Sequence, residues 1–100
     1  MEKFDKKIEH VKDELSGAIE YAEMYIGEKM KGNANKAAKF KEMALNEHNH
    51  AQNWYTWTEE YARDLEKIMP LTADDVDEWE KCKKMFAEKS AIIKYMLDRC

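Results

Sequence analysis

The chain is poor in residues that interrupt or cross-link structure: its 100 residues include three Gly, one Pro and two Cys. With so few turn formers, a sandwich or barrel of many short strands is excluded, because each strand needs its own turn. Cys82 and Cys100 form no disulfide framework and no metal-binding or redox spacing. Long apolar runs are missing too. The nearest approach, Ala91 to Leu97, is broken by Lys94 and is too short to span a bilayer. Positive charge is not in excess, since 17 Lys and Arg against 21 Asp and Glu leave a net charge of −4. That balance argues against general binding of a nucleic-acid backbone. Met1 to Asp13 is charged throughout and does not read as a signal peptide, so a soluble cytoplasmic protein is expected.

What the chain does have is helix-forming sequence with enough apolar surface for a core. The AVILMFWYC set makes up 44% of it and aromatics 11%, which excludes a disordered tail. One domain spanning 1–100 is all this length supports. Two places punctuate it. Gly32 suits the position just past a helix end, with Asn33 or Asn35 able to cap the next helix. Pro70 stops a second helix, and Thr72 can cap a third whose first turn carries Asp74 and Asp75. Helices are expected over about 3–31, 34–69 and 73–99. Short connections make them antiparallel neighbours, an all-α up-down-up array of long helical hairpins.

Apolar spacing supports each helix. Phe4, Ile8, Val11, Leu15, Ala18, Ala22 and Tyr25 alternate by four and three, the seam of a helical bundle. The same spacing runs through Ala37, Phe40, Ala44, Glu47, Ala51, Trp54, Thr58, Tyr61, Leu65 and Ile68. The third segment has a broader face, with Trp79, Cys82, Phe86, Ile93, Met96 and Leu97 and, beside them, Met85 and Ile92. From Cys82 onward it is expected to leave apolar surface for a partner.

Glu47 breaks the second seam. An acid there is costly to bury unless a positive charge, a metal or a proton accompanies it. His50 projects from nearly the same face one turn later. The surrounding Asn46-Glu47-His48-Asn49-His50 is a poor helix former, and local rules broken in mid-helix often mark function. On the first helix Glu14 lies at the seam's edge, and Gly17 follows it, suggesting close approach or room around a buried group. Glu14 and His50 are equidistant from Gly32, so an antiparallel hairpin puts them at one level, with Glu47 within about one turn. A Glu facing a Glu-x-x-His across a hairpin is half of a carboxylate-bridged di-metal site. Its oxygen and imidazole donors suit iron, manganese or zinc.

Glu14-Leu15-Ser16-Gly17-Ala18-Ile19-Glu20-Tyr21, followed by Glu47-His48-Asn49-His50-Ala51, resembles the first half of a rubrerythrin or ferritin-like domain. That family's pattern has a ligand Glu, a Tyr seven residues on, and a Glu-x-x-His-Ala segment at this separation. The likeness covers Glu14 to Trp54, about half the chain. It implies an iron site with Glu47 as bridging carboxylate and Glu14 and His50 as terminal ligands. It also implies Fe(II) oxidation by oxygen or peroxide, a ferroxidase- or peroxidase-like activity, if a di-metal site assembles.

A complete ferritin-like chain brings a second Glu and a second Glu-x-x-His on two further helices. Here one helix remains. Reflection of Glu47 and His50 through Pro70 leads to Ala91 to Lys94, where there is no carboxylate or histidine; Glu88 is the nearest acid. Encapsulated ferritins, half-length chains that assemble their iron site between subunits, suggest the resolution. A homodimer is therefore expected, its two Glu14/Glu47/His50 sets giving four Glu and two His. The competing expectation is a non-catalytic helical scaffold or interaction protein on a degenerate ferritin-like frame. Among the remaining residues, His10 is expected to be solvated or an extra ligand, and His48 exposed. Tyr21 is a candidate for contact behind the ligands, and the other aromatics read as core or interface. Cys82 reads as a small buried hydrophobe and Cys100 as an adventitious thiol.

Overall fold

The structure, a computed structural model, describes residues 2–99. It is all-helical: α1 spans Glu2–Met30, α2 Ala34–Glu66 and α3 Ala73–Arg99. Together they make a rod of 54 × 17 × 17 Å. None of the described helices is long and apolar enough to cross a membrane.

Both turns follow from their local chemistry. Gly32 adopts φ +80°, a left-handed conformation that costs glycine nothing. This lets Asn33 N–H bond Glu28 C=O at 3.0 Å and Gly32 N–H bond Lys29 C=O at 3.1 Å, closing α1 with a Schellman pair. Asn33 does not cap α2 with its side chain; its amide donates instead to Glu28 Oε2 at 2.7 Å, tying the turn back to α1. Thr72 does cap α3, accepting the Asp75 N–H on Oγ1 at 3.1 Å. The end of α2 differs from the apolar pattern, which continues through Ile68 and Met69. The helix stops at Glu66, and Ile68 is 82% exposed. Pro70 disfavours helical backbone in the residue before it, and the chain has already turned at 67–69.

Contacts move up α1 as they move down α2. Phe4 stacks on Tyr61 with ring centroids 6.3 Å apart, and Tyr21 stacks on Phe40 at 6.4 Å. The pair is antiparallel. Its core draws bulky Ile8, Val11 and Leu15 from α1 and the heptad-spaced alanines Ala37, Ala44 and Ala51 from α2. Thr58, also buried, satisfies its hydroxyl by donating to Trp54 C=O at 2.6 Å.

The third helix packs more extensively on α1 than on α2. Trp79, Cys82, Ile93 and Leu97 are buried, with Met85, Phe86 and Met96 partly covered. Trp79 meets Phe4 at 6.1 Å and Tyr55 at 5.3 Å, and Phe86 stacks on Tyr55 at 4.1 Å. The apolar face that the sequence seemed to leave for a partner is thus largely consumed within the chain, Ile92 being the member left exposed. Burial pushes the Cys82 thiol up to about 11, so it packs as an inert hydrophobe. Cys100 lies outside the described residues.

Candidate metal centre

Glu14 on α1 and Glu47 and His50 on α2 come together. One ligand atom from each lies within 4.8 Å of the others, the only such group of three His, Cys, Asp or Glu among the described residues. Two features of the fold put them there. The tight Gly32 turn fixes the level at which the helices pair, and the three-residue spacing of Glu47 and His50 stacks both on one side of α2. Glu88 is exposed on α3, and that helix contributes nothing to the group.

The carboxylates are crowded and under-satisfied. Glu14 Oε2 is buried and receives no hydrogen bond; His50 Nδ1 stands 3.6 Å from it, beyond hydrogen-bond range. A hydrogen bond that only the protonated Glu47 can donate to Glu14 favours the neutral form and holds the Glu47 carboxyl above its ordinary value. Burial and the Glu14 charge push the same way, and His50 offsets them in part. Ionising Glu47 beside Glu14 is therefore disfavoured, and a proton or a cation at the site relieves the crowding. The space is made by Gly17: a Cβ built there would lie 3.1 Å from Glu47 Oε2. The site is open on one side, with the His50 side chain 56% exposed against 24% for Glu14.

Aromatic and thioether side chains flank the triad at helical spacing. Toward the Gly32 turn lie the Tyr21–Phe40 stack and the exposed Met24 and Met43. Away from it, His10 stacks face to face on Trp54 at 4.1 Å, and Trp54 meets Trp57 edge-on at 5.4 Å. His10 therefore sits against a ring rather than joining the triad. Tyr21 likewise has Phe40 as its partner. The sequence pattern assigned these aromatics to core or interface; Trp57, 50% exposed, lies outside the core.

His48 corrects an expectation. It is buried rather than exposed, and its Nε2 is 3.0 Å from Ser90 Oγ on α3. Burial and the neighbouring Lys94 push its imidazole below the ordinary value, keeping it neutral.

Fold and site together define an all-α protein of three long helices carrying a Glu/Glu/His cluster able to hold a metal ion. No protein-family model matches the chain, and comparison with curated proteins and with solved structures gave no match.

Proposed function

We propose that this is a ferritin-like metal-binding protein in which Glu14, Glu47 and His50 form half of a di-metal centre that a second copy completes. The observation that carries the reading is the convergence of three oxygen and nitrogen donors on a buried carboxylate oxygen that nothing else satisfies. A cation would neutralise the two crowded acids and give Glu14 Oε2 its missing partner. Carboxylates with an imidazole suit iron, manganese or zinc, and iron fits the resemblance to rubrerythrins. Bound iron would supply one-electron chemistry toward oxygen or peroxide. The chain's part is to hold the ligands on two rigid helices, with the carboxylates drawn close before the metal arrives.

The partner is a second copy because three protein ligands per chain are half the set that such centres use. Met24, Met43 and Trp57, exposed about one to three turns along the helices from the triad, offer apolar area for an isologous contact. The bundle would then be built from α1 and α2 of both chains, with α3 outside it.

Metal analysis of protein purified without a nickel column, before and after anaerobic Fe(II) loading, tests the reading. Close to one metal per chain supports the di-metal centre, and one per two chains would replace it with a single shared ion. Less than about a tenth of an equivalent after loading overturns it, since a built site takes up its metal stoichiometrically. Light scattering at micromolar concentration, with and without chelator, tests the assembly. A dimer that dissociates on chelation supports a shared site, and a monomer under both conditions favours the scaffold reading.

A further inference from the structure

We infer that Gly17 is a positioning residue for Glu47, its missing side chain leaving the space in which that carboxylate lies when it holds a cation. The inference rests on the metal reading above and goes beyond it, because Gly17 offers no ligand atom. Three glycines occur in the chain, and they differ in what an added Cβ would meet. At Gly27, also within α1, and at Gly32 it would meet nothing within 4 Å. At Gly17 its three nearest atoms all belong to Glu47: Oε2 at 3.1 Å, Cδ at 3.6 Å and Cγ at 3.7 Å. Gly17 has no positive φ to explain its presence, so its backbone conformation suits alanine. A glycine inside a helix weakens it, and here the weakness coincides with the carboxylate that breaks the α2 seam.

An added methyl acts differently on the two states. Without metal, the end of a half-buried Glu side chain moves by a few tenths of an ångström at little cost. With metal, the carboxylate is tied to a cation whose bond lengths tolerate only about 0.2 Å. The methyl then competes directly with the metal for the position of Oε2. Gly17→Ala should therefore strengthen the helix and weaken the site.

The test is Co(II) titration, read by its ligand-field absorption, together with thermal melts in chelator. The proteins are the wild-type chain, Gly17→Ala, Gly27→Ala, Glu47→Asp and the double variant Gly17→Ala/Glu47→Asp. Both alanine variants should melt a few degrees higher than wild type, as helix propensity requires. Gly17→Ala should bind Co(II) roughly 10- to 100-fold more weakly, the range for groups that orient metal ligands, and Gly27→Ala should bind like wild type. In the Glu47→Asp background, where the shortened side chain withdraws from α1, Gly17→Ala should have little further effect on binding. Wild-type affinity in Gly17→Ala, an equal loss in Gly27→Ala, or an undiminished loss in the Glu47→Asp background would each overturn the role of Gly17 while leaving the metal reading standing. Failure of the wild-type chain to bind Co(II) would overturn the metal reading and this inference with it.

Discussion

Two histidines two positions apart on α2 meet opposite fates. His48 is sealed beneath α3 with the Ser90 hydroxyl 3.0 Å from its ring, whereas His50 lies open beside a carboxylate oxygen that has no partner. At 100° per residue they point about 200° apart, so they belong to different sides of the helix. One side is finished by packing: Ser90 and Phe86 of α3 meet His48 and Tyr55. The other side ends in two crowded acids, an exposed imidazole and uncovered Met and Trp side chains. Burial alone would have marked His48 as the special residue. Among the described residues, two buried carboxylate oxygens lack a partner, Asp75 Oδ2 at the start of α3 and Glu14 Oε2. The one that belongs to a cluster of three donors marks His50, because a polar set left incomplete by the fold is one that a ligand can complete.

The comparison breaks most visibly on the packed side. Trp79→Ala removes a buried ring that joins Phe4 to Tyr55, and should lower unfolding free energy by about 3–5 kcal/mol in a denaturant titration. Metal uptake by the chains that remain folded should not change. If that substitution abolishes binding in folded protein, the two sides are coupled and the division fails. On the open side the expected effects reverse. Glu14→Gln keeps the shape but removes a charged ligand, and should weaken Co(II) binding by at least about 100-fold, past what outer groups contribute. Its melting temperature in chelator should stay the same or rise. Glu47→Leu separates the two functional readings: both predict unchanged or higher stability without metal, since an apolar residue replaces a crowded acid. Only the metal reading predicts loss of metal binding and of any metal-dependent dimer.

The open side was legible in the sequence, and so was the buried face of α3, but not where that face lies against α2, and the reason is geometric. Reflection through Gly32, whose turn chemistry is local and strong, pairs Glu14 with His50, and the three-residue spacing on α2 adds Glu47. An anomaly in a seam, combined with a turn that fixes level, is therefore readable without coordinates. His48 depends on where α3 lies, and no residue of α2 states that. The four-three spacing through Ala44, Glu47, Ala51 and Trp54 describes the side toward α1 alone. A second stripe, His48 and Tyr55, faces α3 and is polar or aromatic, so it does not register as a seam. The end of α2 was obscured for a similar reason. Ile68 and Met69 prolong the apolar period, but the backbone demand of Pro70 overrides it.

A milder test on the packed side uses pH. The His48 imidazole lies below its ordinary value of 6.5 through burial and Lys94, so folded protein binds fewer protons there than unfolded protein just below that pH. Its contribution is complete above pH 6.5 and is lost as the pH falls through the lowered folded value. Ser90→Ala, which removes the hydroxyl partner, should cost about 1 kcal/mol, read at neutral pH by denaturant titration. His48→Gln should remove the pH dependence over this range. A slope that survives His48→Gln would assign it to another group.

The smallest effect has the opposite sign and comes from the open side. Glu47 lies above its ordinary 4.5, through its hydrogen bond with Glu14, burial and the Glu14 charge. Between that value and the raised one, folded metal-free protein holds a proton that unfolded protein has released. Stability from this group is complete below pH 4.5 and lost as the pH rises through the folded value, the reverse of His48. At neutral pH in chelator, Glu47→Gln should therefore be more stable than wild type, by less than about 1 kcal/mol for a carboxyl still partly open to solvent. The advantage should shrink toward pH 4.5, where wild-type Glu47 is itself protonated. Adding Co(II) should invert the ranking, because the metal needs the ionised carboxylate and glutamine has none to offer. Thermal melts of both proteins across pH 4–8, with and without Co(II), read all three statements. A Glu47→Gln curve parallel to wild type in chelator would mean that the two acids do not share a proton, and the crowding that makes this side a site would be absent.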